Sequence, residues 1–358
     1  MRLKKDYKRI VIKIGASLFY PEKSKFDLKL IYQLAGEIAT LVKEKKQTIL
    51  VSSGAIALGM TVLGLKERPK QLAYLQASAA LGQNELMNVY RQVFKDKGIN
   101  CAQVLLTWDD FSDRRRYLNA KNTLETLLRM NIIPIINEND TVSTDEIKFG
   151  DNDRLSALVS SLILADLLII LSDVEGLLDK NKQVIQIVDE ITPQIKALAC
   201  PTDKKVCVGG MVTKLEAARI AVDSGIPCLI ANGRSKGIIL SAVRNPAEAG
   251  TLFIPKQGFL DAKQSWLAFS AKPKGRIFVD EGAKKALLEK KSLLSVGITG
   301  IEGGFEAGEV VSVADKKNKE FARGKVGVSS KQLEKVKGTY YPKEVIHRDN
   351  LVILRDVL

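Results

Sequence analysis

Histidine is almost missing from this sequence. The 358 residues hold a single one, His347, close to the C-terminal end. A Ser-His-Asp triad, a Cys-His dyad or a multi-histidine metal site would each need it. It lies far along the chain from every other polar cluster, so these chemistries are set aside. Cysteine is sparse as well. Cys101, Cys200, Cys207 and Cys228 form no Cys-x-x-Cys pair, which removes the common zinc and thioredoxin-like signatures and any disulfide scaffold. A reducing, cytoplasmic setting is expected. No apolar run reaches the roughly eighteen residues of a membrane span, and the longest candidate, around Leu162 to Leu171, is broken by Asp166. The basic start, Met1 to Ile10, leads into a strand-like run without an apolar signal core, so neither secretion nor a membrane partner is expected. Walker A and Gly-x-Gly-x-x-Gly loops are both absent.

What is present reads as a globular protein long enough for two domains. The net charge of +14 favours anionic partners such as nucleotides, carboxylates or RNA. It is spread along the chain: residues 272–358 carry eighteen Lys and Arg against twelve Asp and Glu, and no segment forms a basic tail. Up to about residue 255, short β-branched runs alternate with amphipathic stretches. The runs are Arg9–Ile14, Thr48–Ser52, Ala102–Thr107, Ile132–Asn137, Leu167–Ser172 and Pro227–Ala231; each predicts a strand buried on both faces of a parallel sheet. Between them, helical periodicity marks Leu28–Lys45, Asn84–Lys97, Tyr117–Met130, Asn152–Leu164 and Met211–Ser224. The alternation predicts an α/β fold with a mainly parallel central sheet and helices on both faces. Phe253–Ile254 is expected as a last edge strand. Residues 257–273 read as a linker, and residues 274–358, with strands at Arg276–Val279 and Glu309–Val313, a helix at Gly282–Lys290 and Gly-rich turns, read as a small β-rich domain.

Ligands of such sheets gather at the carboxyl ends of the strands, and five polar clusters fall there. Lys13-Ile14-Gly15 ends the first strand. A lysine in an apolar run is costly to bury unless it meets an anion, and the glycine admits a ligand close to the backbone. Ser52-Ser53-Gly54-Ala55 offers free N–H groups to a carboxylate or phosphate and equally serves as a plain helix cap. Asn137-Glu138-Asn139-Asp140 and Gly150-Asp151-Asn152-Asp153 place acids and amides before a helix; they suit a substrate ammonium or a lysine, or simple capping. Ser172-Asp173 follows the fifth strand. Val208-Gly209-Gly210-Met211-Val212-Thr213-Lys214 opens a helix with a phosphate-cradle composition, although a Gly pair alone is little more than a turn.

In this order the five segments, with Leu105-Leu106-Thr107 and Tyr117-Leu118-Asn119-Ala120, resemble the amino acid kinase family over residues 8–255, and closely its branch acting on a free amino acid. From residue 274 the chain is similar to a PUA domain. The resemblance implies a three-layer αβα sandwich over residues 1–256, plus a PUA-like domain. It implies transfer of the γ-phosphoryl group of ATP, with Mg²⁺, to the side-chain carboxylate of L-glutamate, giving L-glutamyl 5-phosphate, the first step of proline biosynthesis. By the same resemblance Lys13, Lys214 and Asp153 are catalytic, and Ser53, Asp140 and Asn152 bind the amino acid. Lys13, Ser172, Asp173, Val208, Gly209, Gly210, Met211, Val212, Thr213 and Lys214 would hold the nucleotide. Feedback inhibition by L-proline and a homo-oligomer, dimer or tetramer, are implied too. The +6 balance of the C-terminal domain permits RNA binding there, but it is not expected, since aromatics for base stacking are few. The sequence departs from the family's usual pattern at Cys207-Val208, Ala16, Ser172 and Leu178, with every charged candidate kept.

Overall fold

The computed structural model describes residues 6–19, 27–142, 152–199, 210–256 and 258–354. Two compact units share the chain. The first comprises Met1–Asp110 and Leu118–Phe259, the second Phe111–Tyr117 and Leu260–Leu358.

The strands of the first unit are β1 Arg9–Ile14, β2 Gln47–Ser52, β3 Cys101–Leu106, β4 Ile133–Glu138, β5 Leu167–Ser172, β6 Ile187–Val188, β7 Cys228–Asn232 and β8 Thr251–Phe253. They form one sheet in the order β3-β4-β2-β1-β5-β7-β8-β6. Pairing is parallel throughout except between β7 and β8. The helices in this part of the chain are α1 Ala16–Phe19, α2 Leu28–Lys43, α3 Ala55–Val62, α4 Leu72–Lys95, α5 Trp108–Ser112, α6 Arg114–Arg129, α7 Asn152–Leu162, α8 Pro193–Leu198, α9 Met211–Asp223 and α10 Ile238–Arg244.

Alternation along each strand sorts side chains between two helical layers. Ile10, Ile12 and Ile14 of β1 join Leu50, Ile135, Ile169 and Leu229 in a core with Leu34 and Ile38 of α2, Leu86 of α4 and Ile239 of α10. The intervening residues, Val11 and Lys13 among them, are directed to the opposite face, where α7 packs on β1, β2 and β5 and α9 packs on α7 and β7. The result is the expected three-layer arrangement. The apolar runs match the strands to within about a residue. β3 differs from the expectation of a strand buried on both faces: it is half-buried, because it lies at the sheet edge. Phe253 belongs to β8, which is not an edge: β6 pairs with its outer side. Two residues of β6 carry too little alternation to register in a sequence. α4 begins twelve residues before the expected start at Asn84. Its first half carries small residues, Ser78 and Gly82 among them, where it touches α3 backbone to backbone: a Cβ on Gly59 would lie 1.7 Å from the carbonyl oxygen of Ser78, and one on Gly82 would lie 1.8 Å from that of Ala55.

The second unit contains α11 Ala262–Ser265, β9 Gly275–Val279, α12 Glu281–Leu288, β10 Ile298–Glu302, β11 Val310–Ala314, β12 Glu320–Lys325, α13 Ser330–Val336 and β13 Leu351–Ile353. Its sheet runs β10-β9-β11-β12-β13 over a core of its own, built from Ile277, Val279, Val311, Val313, Phe321 and Ile346. The stretch before β9, featureless in sequence, holds α11, whose N-terminus is closed by a reciprocal Asp261–Gln264 capping box, and a π-turn at Trp266–Ser270.

Candidate active site

Lys13 sits next to last in β1, between two isoleucines committed to the core on the other face. Its own face therefore meets the N-terminus of α7, which carries Asn152 and Asp153. The Lys13 ammonium lies 2.6 Å from Asp153 Oδ1. Lys214, in the first turn of α9, places its ammonium 3.3 Å from Asp153 Oδ2, and Thr213 donates its hydroxyl to the same oxygen at 2.9 Å. One carboxylate thus bridges two lysines about two hundred positions apart in the chain. All three are nearly enclosed, with Lys13 6%, Asp153 4% and Lys214 8% exposed, so each charge depends on the others. Burial by itself would raise the Asp153 pKa. The charges of Lys13 and Lys214 and the hydrogen bonds from Lys13 and Thr213 outweigh it and hold the carboxyl below its ordinary range. The trio keeps one net positive charge for an incoming anion.

Beside it, the Asn152 side-chain amide donates toward Ser52 O, Ser53 Oγ and Asn137 Oδ1 at 2.9, 2.9 and 2.8 Å. Asn137 donates in turn to Gln83 of α4 at 2.8 Å. This network ties β2, β4, α4 and α7 together at the carboxyl end of the sheet. Gly54 caps α3 at φ +105°, a left-handed conformation that favours glycine. Gly15 donates its N–H to Leu171 O at 3.1 Å, and a Cβ there would meet that carbonyl at 3.2 Å and the Lys13 ammonium at 3.5 Å. Ser172 donates to Asp173 at 2.9 Å. Burial works to raise the Asp173 carboxyl, but this bond, its own backbone amide, the Ser17 hydroxyl and the Lys214 charge bring it below the usual value.

These groups enclose a single open cleft of about 270 Å³. Of the residues singled out in the sequence, Lys13, Ser53, Asp140, Asn152, Asp153, Ser172, Gly210, Thr213 and Lys214 line it. Met211 and Val212 belong to the first turn of α9 and Asp173 follows β5, but these three are not part of the lining. Val208 and Gly209 lie outside the described residues. The lining also includes Ser17, Ile56, Glu138 and Arg68. Arg68, in the connection between α3 and α4, and Gln83, inside α4, escaped the sequence reading: neither adjoins a strand end, and nothing local distinguishes them from surface residues.

The chain matches the model of the amino acid kinase family over residues 8–232 and that of the PUA domain over residues 275–343. It is 44% identical to the glutamate 5-kinase of Thermoanaerobacter sp. (strain X514), covering 97% of this chain and 98% of that protein. Identity to the glutamate 5-kinase of Caldanaerobacter subterraneus subsp. tengcongensis is 45%, over 97% and 98%. With that of Geobacter metallireducens it is 44%, over 98% of each. A parallel sheet carrying two lysines on one carboxylate at its carboxyl edge, and full-length relatives of one kind, lead to one assignment: the chain belongs to the amino acid kinase family, among its glutamate 5-kinases, and carries a C-terminal PUA domain.

Proposed function

We propose that the protein transfers the γ-phosphoryl group of ATP to the side-chain carboxylate of L-glutamate, forming L-glutamyl 5-phosphate and ADP, the first step of proline biosynthesis. The observation that carries this reading is the convergence of Lys13 and Lys214 on Asp153, within one cleft that also holds Ser53, Asn152 and Asp140. A glutamate side chain has a reference pKa of about 4.3 and is ionised near neutrality, so the acceptor needs no general base. The task is to bring two anions together and to stabilise negative charge on the phosphoryl group in flight. Lys13 and Lys214 do this. Asp153 orients both ammonium groups without neutralising them. Asn152, held by Asn137, and Ser53 grip the acceptor, and Asp140 takes its α-ammonium.

Ser172 and the turn from Gly210 to Lys214 hold the nucleotide on the β5–β7 side; Asp173, Met211 and Val212, and Val208 and Gly209 outside the described residues, are assigned to the nucleotide with them. The donor set fits a polyphosphate: two ammonium groups, the Thr213 hydroxyl and close backbone access at Gly15. Mg²⁺ would sit on the phosphates with water completing its shell, supplying charge neutralisation. L-Proline, an amino acid of similar backbone, is read as an inhibitor of the acceptor site, and the assembly as a homo-oligomer in the cytoplasm.

A coupled ADP-release assay tests the reading, with L-glutamate, N-acetylglutamate, aspartate and nucleoside monophosphates as acceptors. ADP release stimulated by L-glutamate above the others is expected. Turnover with a nucleoside monophosphate or N-acetylglutamate, and none with L-glutamate, overturns it.

A further inference from the structure

The hydrogen-bond chain behind Ser53 has a direction. A side-chain amide can be turned end for end, so its direction must come from groups that can only donate or only accept. Two backbone groups supply it. The Glu138 N–H donates to Asn137 Oδ1 at 2.9 Å, and the Ser52 carbonyl accepts from Asn152 Nδ2 at 2.9 Å. Asn137 therefore presents its oxygen to Asn152, whose nitrogen donates to it at 2.8 Å. The Asn137 nitrogen is left to face α4, where Gln83 Oε1 accepts from it at 2.8 Å.

The consequence reaches the cleft. Asn152 Nδ2 lies 2.9 Å from Ser53 Oγ. An amide nitrogen has no lone pair to accept with, so Ser53 is the acceptor in this pair and its own proton is left for another partner. Ser53 lines the cleft, where a carboxylate oxygen of the amino acid would take that proton. Gln83 stands at the far end of the chain. Asn137 is 2% exposed, so without Gln83 its N–H groups would be buried donors lacking an acceptor, and the amide would gain by rotating away from Asn152. Gln83 itself is well anchored. It follows Gly82, where α4 is pressed on the Ala55 carbonyl of α3, so its backbone cannot shift without moving the start of α3.

We infer that Gln83 is a positioning residue: by accepting from Asn137 it holds the Asn137–Asn152–Ser53 chain in the polarity that leaves the Ser53 hydroxyl as a donor to a carboxylate of the acceptor amino acid. This inference rests on the glutamate reading and deepens it. The test is a double-mutant cycle in the full-length protein, with Gln83→Met, Ser53→Ala and the pair. Initial rates are taken with L-glutamate varied at saturating ATP, and with ATP varied at saturating glutamate. Gln83→Met keeps the side-chain length and removes the amide oxygen. It should raise the KM for glutamate about 3- to 10-fold, the range of one neutral hydrogen bond. kcat should fall less than about threefold, the pattern of lost uniform binding, and the KM for ATP should stay within about twofold. On a Ser53→Ala background the same change should raise the glutamate KM by less than about twofold, because the group it orients is gone. Gln83→Glu keeps an oxygen toward Asn137. Its second oxygen falls where the Gln83 amide nitrogen is enclosed, so burial holds the carboxyl protonated and it copies the amide; its glutamate KM should lie within about threefold of the unaltered protein's. An equal rise on both backgrounds, a rise shared by glutamate and ATP, no rise at all, or a Gln83→Glu as impaired as Gln83→Met would overturn the assignment while leaving glutamate as the substrate. Failure of the unaltered protein to turn over glutamate would instead remove the functional reading and this inference together.

Discussion

At the scale of single residues, Asp153 is the point on which the site turns. It is buried, ionised and shared by two lysines, so its removal should act on stability and, under the proposed function, on catalysis. Asp153→Asn leaves the charges of Lys13 and Lys214 buried without a counter-ion, and should cost about 3–5 kcal/mol in chemical denaturation at neutral pH. Its pH dependence has a definite sign. The folded carboxyl has a lowered pKa, so its contribution is present above the unfolded value of about 3.9 and is lost as pH falls through the folded value. Melting temperatures measured from pH 7 down into the acid range should therefore fall more steeply for the unaltered protein than for Asp153→Asn. For the lysines the proposed function predicts an effect on rate. Lys13→Ala or Lys214→Ala should lower kcat by about 10²–10³, as for loss of one donor to a developing charge, read in the ADP-release assay at saturating glutamate and ATP.

At the scale of elements, helices meet where small residues or a single carboxylate allow it. Gly59 and Gly82 let α3 and α4 touch through their backbones. Gly82→Ala must push the pair apart, and should cost about 1–3 kcal/mol by overpacking and raise the KM for glutamate, because Ala55 and Gln83 both border the site. Gly36, within α2, is the contrast: a Cβ there would meet only Lys97 Nζ at 3.9 Å. Gly36→Ala should stabilise the protein by about 0.5–1 kcal/mol through helix propensity, which paired thermal melts of the two variants would resolve. Glu37, on α2, is buried and accepts from the N–H groups of Gly237, Ile239 and Leu240 at 3.2, 2.8 and 3.3 Å. An acid at a helix N-terminus is favoured by the helix dipole. In the sequence Glu37 looks like a polar surface residue, because its partners are two hundred positions away.

At the scale of the whole molecule, the two units do not follow the order of the chain. Phe111–Tyr117 belongs to the second unit although it precedes α7. Within that unit the Trp266 indole donates to Phe111 O at 2.9 Å, its ring meets Tyr117 edge-on with centroids 6.3 Å apart, and the Arg114 guanidinium lies 5.2 Å from its centroid. A chain ended at residue 256 would strip these partners from Phe111 and Tyr117, which are 2% and 5% exposed. Such a chain should be less soluble than one that also carries Phe111→Ser and Tyr117→Ser, as size-exclusion chromatography of both would show. Trp266→Ala in the full-length protein should destabilise the second unit by about 3–5 kcal/mol, measured by its unfolding in denaturant.

The amino-acid sequence by itself determined the parallel strands, the helices between them and the polar clusters at strand ends, because burial and periodicity are local and repeat every two or 3.6 residues. It also indicated which lysines and carboxylates to watch. Tertiary structure alone decided that Lys13 and Lys214 share Asp153, that Arg68 belongs to the cleft and Gln83 braces Asn137 in its wall, and that residues 111–117 join the C-terminal unit. These facts depend on strand order, which sets β1 between β2 and β5 and brings distant strand ends to one edge. No local propensity encodes that order; it emerges only when all the apolar faces are buried at once.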